Sequence, residues 1–413
     1  MPSTLPRPGY RYLLANRAFG LLWLGQAVST LGDAVYDVAL LWYVLDLTGS
    51  ALAAAGIAVG ATAGRLAGSL TAGAVLDRVH TRTVMLSADL ARVALTLLVS
   101  VAWLIGAVPP LWGLYGLAAG VAFGTAFFNP ARAASVPQVV PREFILDANA
   151  LDAVSHGIVV TSAWALSGVV VAALGPALSL LLDASTFGVS YLLVRAARWE
   201  RERPAERAVA NPLAEALGGV RWARGDSVAR TVLGAEALHA LAAGFFVSAL
   251  AAYIKELGGG ATLYGLQGGA FGVGLILSSS LISYRTTRRV GRLYSGGVLL
   301  NGLGNTLFGL VPAAYWLLPT VFFAGLGAPA WGAGRQSILQ THAPAVVRGR
   351  VFALLDTLGT MMVMPAFVIG GWVADHLGAR EVVVGASLIH VGLGLYLWSA
   401  ARVRDFTVAG NGV

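Results

Sequence analysis

The sequence predicts an all-α membrane protein of twelve transmembrane helices arranged as two pseudo-symmetric six-helix halves. Three observations predict it: twelve apolar segments, an arginine distribution that alternates with them, and an internal repeat at constant spacing. Composition sets the class. The 413 residues are 57% hydrophobic and 12% charged, with a mean hydropathy of +0.73, whereas soluble domains carry about 25% charged residues. Cysteine is absent, which excludes disulfides, thiolate chemistry and Cys-ligated metals. Arg7, Arg11 and Arg17 precede the first apolar run. That run is too long for a signal-peptide core and lacks a small-residue cleavage site after it, so no cleavable signal is expected.

The segments follow in order. The first, 19–45, is apolar except for Asp33 and Asp37, and the second, 50–76, carries Gly56, Gly60, Gly64 and Gly68 at four-residue spacing. The third, 83–105, contains Asp89 and Arg92, and 110–130, 147–174 and 176–196 complete the first half. In the second half come 230–254, 262–284 (with Gly265, Gly268, Gly269 and Gly272), 292–312, 315–338, 350–374 (with Met361, Met362 and Met364) and 380–401. Each is long enough to cross ~30 Å of hydrocarbon, and a lone span must be helical to satisfy its own backbone. The glycine ladders let helix backbones approach closely in lipid.

Arginine sidedness tests the count. With the N-terminus in the cytoplasm, 24 of the 28 basic residues fall in cytoplasmic tails and loops or at the cytoplasmic ends of segments; Lys255 and Arg380 fall at the outer side, and Arg65 and Arg92 lie deeper within segments. This is the positive-inside pattern, and it places both termini inside. The repeat divides the chain: RAASVPQVVPREFILDANAL (132–151) aligns without a gap on RQSILQTHAPAVVRGRVFAL (335–354), an offset of 203. The expected domains are therefore 1–196, a cytoplasmic linker 197–229, and 230–413. Within the linker, LAEALGGVRWARG is read either as a short helix on the membrane face or as flexible chain.

Enzyme chemistry is not expected. GxxxxGK[ST] and HExxH are missing, and the six His are scattered, so neither a phosphate loop nor a metal or cofactor site is predicted. A nucleic-acid partner is excluded because the arginines track membrane sidedness instead of forming one basic face. What remains is charge within the membrane, which is functionally suspect by default. In LGDAVYDVAL (31–40), Asp33 and Asp37 lie four residues apart and share a helix face. Arg65 lies at a depth within ~3 Å of Asp33 on the next helix, so the two are close enough in level to pair; a static tie accounts for only one of the two carboxylates, which favours a site that exchanges protons or binds a cation. Asp89 and Arg92, at i and i+3, are read as a mutually satisfied intramembrane charge pair. Asp183, Glu236 and Asp356 rank lower, nearer helix ends. The methionines of the eleventh segment suit an adaptable apolar pocket or ordinary packing.

GAVLDRVHTR (73–82), between the second and third segments, resembles the G-x-L-x-D-R-x-G-R-[KR] signature of the major facilitator superfamily. Gly73, Asp77, Arg78 and Arg82 match, and His80 and Thr81 depart; the second-half counterpart, TTRRVGR, has Arg288 where the first has Asp77. The stretches 16–53, 127–151 and 348–356 resemble more specifically the macrolide-efflux and siderophore-exporter branch, the third drug:proton antiporter group. The resemblance implies two six-helix bundles around a central cavity, alternating access and export driven by the proton gradient. It also implies that Asp77 acts as a conformational latch toward the start of the eleventh helix. One departure is AWALSG (163–168), with Trp164 where this branch carries Pro.

The expected function is proton-coupled efflux of a small hydrophobic or amphipathic compound by a monomeric carrier in the bacterial plasma membrane. Asp33 is the expected proton carrier and Asp37 the second candidate, with Arg65, Tyr36, Gln26, Met361 and Met362 lining the substrate path. Two alternatives stay open: a lipid or lysophospholipid translocator, and a non-transporting receptor or regulator of the same fold.

Overall fold

The structure is a computed structural model that describes residues 13, 15–199, 212–284 and 289–407. Part of the linker, including RERPAER, and the Arg288 of the second signature copy lie outside the described residues. The helices run α1 (Arg17–Thr48), α2 (Ala51–Leu76), α3 (Thr81–Leu104) and α4 (Leu111–Val139), then one continuous assignment Ile145–Ala196. Gly175 breaks that stretch with φ 72°, a left-handed conformation open to glycine, and Pro176 opens the next helix. We therefore treat residues 145–174 as α5 and 176–196 as α6. The second half continues with α7 (Pro212–Gly225), α8 (Ser227–Glu256), α9 (Ala261–Tyr284) and α10 (Val290–Leu310). It ends with α11 (Leu317–His342), α12 (Ala345–Leu377), α13 (Ala379–Ser399) and the short α14 (Ala401–Arg404).

Among the described residues ten helices are long and apolar enough to cross a membrane, and one of these, Arg142–Ala196, has 55 residues, enough for two crossings at 1.5 Å per residue. The 21-residue α10, made more polar by Arg292, Asn301 and Asn305, matches the others in length. Twelve spans result, and the Gly175 break falls at the boundary predicted between the fifth and sixth segments. Surfaces such as Leu70, Leu98 and Leu281 stay more than half exposed, as helices facing hydrocarbon do.

The described chain forms two compact units, one of residues 1–40 and 60–206, the other of 41–59 and 207–413. In the first, Leu22, Val84, Met85, Phe128 and Val194 form a buried cluster. The glycine ladder works there by backbone approach: a Cβ on Gly64 would lie 2.0 Å from the Ala119 carbonyl oxygen of α4. In the second unit, Val232, Leu233, Tyr294, Ile338, Leu355 and Leu397 are buried together. The linker segment is helical as α7, and Trp222 and Ala223 join that core. Asp375 of α12 caps the start of α2, accepting from the Ala51 N–H at 2.6 Å, the Leu52 N–H at 3.3 Å and the Ser50 hydroxyl at 2.5 Å.

Candidate functional site

The first unit gathers its intramembrane acids around α1, α3 and α6. Gly32 makes this possible: a Cβ there would stand 2.1 Å from Thr186 Oγ1 and 2.6 Å from Asp183 Oδ1, so α1 and α6 meet almost backbone to side chain. The next residue on α1, Asp33, has Arg92 and Asp89 as charged neighbours. Arg92 and Asp89 form an ion pair on α3, both essentially solvent-free. The Ser190 hydroxyl of α6 donates to the other Asp89 oxygen at 2.8 Å. The Arg92 guanidinium lies 4.2 Å from the Phe187 ring centre and 4.7 Å from that of Phe128, a cation–π setting that helps hold a desolvated charge.

Asp183 is wholly buried, with the Thr186 hydroxyl 3.5 Å from its Oδ1. Tyr36, 5% exposed, lies among Asp37, Asp183 and Asp33. The acids form a series of decreasing access: Asp37 is exposed, Asp33 half-buried, and Asp183 and Asp89 fully buried. Charge is unbalanced. Three carboxylates, Asp33, Asp89 and Asp183, share the one buried guanidinium of Arg92, and Arg65, which acts on Asp37, is itself exposed.

Several sequence expectations resolve here. The Asp89–Arg92 pair is present. The Asp33–Arg65 pairing that matching depth allows is absent among the described residues: the charged neighbours of Asp33 are Arg92 and Asp89, and Arg65 acts on Asp37. Matching depth fixed their level and left the rotation of each helix about its axis open. Gln26 lies two turns from Asp33, bonded to Thr30 Oγ1 at 3.2 Å, in a crevice with Trp23, Asp152 and Ser155. Met361 is 62% exposed and Met362 half-buried. Asp77 is exposed at the end of α2. Arg82 donates to the Val194 and Arg195 carbonyls that end α6, at 3.3 and 2.5 Å, and His80, a departure from the signature, caps α3 by accepting from the Arg82 N–H at 3.1 Å.

Asp183 lies away from mid-helix, and its setting in the unbroken run LSLLLDAS is the local signal that marks it. The histidines are scattered along the chain, whereas the second unit joins two of them in a buried polar cluster near Glu236 and Arg335.

Comparison with known proteins gives the family and the fold. The family described as transmembrane secretion effector, of the major facilitator type, matches residues 12–409. The multidrug efflux pump Tap of Mycolicibacterium fortuitum is 25% identical over 414 residues, covering 94% of this chain and 97% of that protein. Macrolide efflux protein A of Streptococcus pyogenes is 22% identical over 392 residues, covering 88% and 91%. Among solved structures, a bacterial homologue of the iron transporter ferroportin in an inward-facing state superposes with a TM-score of 0.72 at 19% identity, over 94% of this chain and 99% of that one.

Proposed function

The chain belongs to the transmembrane secretion effectors of the major facilitator superfamily, multi-pass membrane transporters, and on that footing we propose that it exports a small hydrophobic or amphipathic compound in exchange for protons. The carrier works by alternating access in the bacterial plasma membrane, with both termini in the cytoplasm. The observation that carries the proton assignment is the graded series of carboxylates in the first unit. Asp37 is exposed on the surface of its unit, Asp33 lies half-buried one turn along the same helix face, and two fully buried acids lie beyond. An isolated ionised carboxylate is costly in hydrocarbon, so the acids in excess of the Arg92 charge supply groups that exchange protons.

In this reading Asp37 takes up the proton and Asp33 carries it. Asp89 is occupied by Arg92 and Ser190 and contributes to the field at Asp33. Arg65 acts on the outer acid only. Efflux as the direction is supported by the names of the two relatives above.

The test uses purified protein in liposomes with an imposed pH gradient, and a macrolide and a hydrophobic dye cation as probes. Asp33→Asn is expected to lower uphill accumulation at least tenfold while downhill exchange of the same probe persists. Asp33→Asn protein that still concentrates a probe on the pH gradient overturns the assignment.

A further inference from the structure

The second unit holds a buried polar cluster that the proton route of the first unit does not use. His390 of α13 is 2% exposed, and its Nε2 lies 2.9 Å from Nδ1 of His239 on α8. The other nitrogen of His390, Nδ1, lies 3.1 Å from the Ala386 carbonyl oxygen. A carbonyl only accepts, so that nitrogen carries a proton and donates. In the neutral ring Nε2 of His390 is then the acceptor, and Nδ1–H of His239 must be the donor. The hydrogen bonds thus run one way, from His239 through His390 to Ala386, and leave a single free lone pair, on Nε2 of His239. One further proton is the capacity of the pair.

The surroundings act both ways on that charge, with the Arg335 cation opposing it and the Glu236 carboxylate on the same face of α8 favouring it. The His239 ring lies 4.0 Å from the ring centre of Trp331, whose indole also carries the Arg335 guanidinium at 4.5 Å. Glu236, one turn before His239 on α8, forms an ion pair with Arg335. From α10, Tyr294 lies within electrostatic reach of Glu236 and Arg335, and Gly302 brings bare backbone against His390. From α12, Gly359 faces Glu236, and Asp356, one turn earlier, is exposed. With Glu236 and Arg335 cancelling, the cluster is neutral before a proton arrives and carries one positive charge afterwards.

We propose that the His239–His390 pair is a second proton-binding site of this carrier, whose loaded form competes with Arg335 for Glu236. Glu236 and His239 share one face of α8, whereas Arg335 comes from α11. A proton on His239 therefore moves the pairing of Glu236 from between two helices to within one, and loosens α8 from α11.

The test is nitrogen NMR of the full chain, labelled with 15N-histidine, in lipid nanodiscs without substrate or gradient. At pH 8, both rings are expected in the Nδ1–H form, which for His239 reverses the solution preference. Between pH 8 and 4.5 the two rings are expected to move together with one midpoint. His390→Asn should return His239 to the Nε2–H form, and Glu236→Gln should weaken proton uptake by the pair about tenfold by removing its counter-charge. If His390→Asn does not fold, His239→Gln tests the same bond from the other side, and His390 should then lose the common midpoint. An Nε2–H His239 in the wild type, or two rings unchanged down to pH 4.5, overturns the proposal. Because the rings are read without transport, this outcome is independent of the Asp33→Asn result.

Discussion

In the first unit Arg132 of α4 grips Asp152 of α5 through two nitrogens, at 2.9 and 3.0 Å. In the second, the residue 203 positions on, Arg335 of α11, pairs with Glu236 of α8 instead. The same offset takes Asp152 to Leu355, a 4% exposed member of the second core. It also takes the hinge glycine Gly175 to Gly378, both at positive φ. The backbone frame and the arginine are thus repeated, and the acid that answers the arginine has moved from one helix to another. On the first side Gln26 lines the crevice beside Asp152, so α1 needs no ionic tie at that level. Its acids, Asp33 and Asp37, stand free of Arg132, and in the proposed function they carry the protons. On the second side the leading helix places its carboxylate against the arginine, and the proposed titratable group is the histidine pair. Duplication fixed the scaffold, and each half settled its buried charge in its own way.

The largest effect should come from breaking the second pairing. Glu236→Gln leaves Arg335 without its acid, at a cost near the low end of the ~3–5 kcal/mol for a broken buried pair, since 20% of the Arg335 side chain is exposed. Adding Leu355→Asp transplants the arrangement of the first half and is expected to recover at least half of that loss. Thermal unfolding of the two proteins in detergent checks it. A double variant less stable than Glu236→Gln alone would show that the arginines are not interchangeable parts of one frame.

Much of this architecture is legible in the sequence because it depends on length and sidedness. Hydrophobic runs have to match the bilayer, and arginines have to stay on one side, so segment limits and the Gly175 break are written locally. The Asp89–Arg92 pair is legible for the same reason: three residues on a helix fix a shared face. Pairings between helices depend on rotation about each axis, which no local pattern records. Asp33 was assigned Arg65 by depth and faces Arg92 instead. The His239–His390 contact is hidden for the same reason, since the two lie on different helices 151 positions apart.

A smaller effect tests the close approach that assembles the acids of the first unit. Gly32→Ala places a methyl against Thr186 Oγ1 and Asp183 Oδ1, an overpacking worth about 1–3 kcal/mol. Thr186→Ala in the same protein removes the nearer atom and is expected to restore part of the stability. Asp183 still has to shift, so proton-driven transport should recover less than stability does. Equal recovery of both would separate the helix contact from the acid cluster. Denaturation curves and gradient-driven uptake, measured on the same preparations, give the two readings.

The smallest effect compares the starts of α1 and α8. Asn16 accepts from the Phe19 N–H at 3.2 Å, and Asp226 accepts from the Ala229 N–H at 2.7 Å while its second oxygen meets His342 Nε2 at 2.9 Å. Both side chains satisfy an otherwise orphaned helix N–H, and only Asp226 titrates. Partial burial pushes the Asp226 carboxyl up, but the Ala229 N–H and His342 more than offset this, and it titrates below its ordinary value. A depressed native value means that stabilisation is complete above the unfolded value of ~3.9 and is lost as pH falls through the native one. Asp226→Asn, which copies the cap of the first half, should therefore cost up to about 1 kcal/mol at pH 7. That gap should close as the pH is lowered from 5 to 3. Urea unfolding of both proteins across that range, repeated in a His342→Gln background to isolate the cap, reads the effect. A gap that stays constant down to pH 3 would mean that the charge of Asp226 adds nothing to the hydrogen bond that Asn16 already makes in the first half.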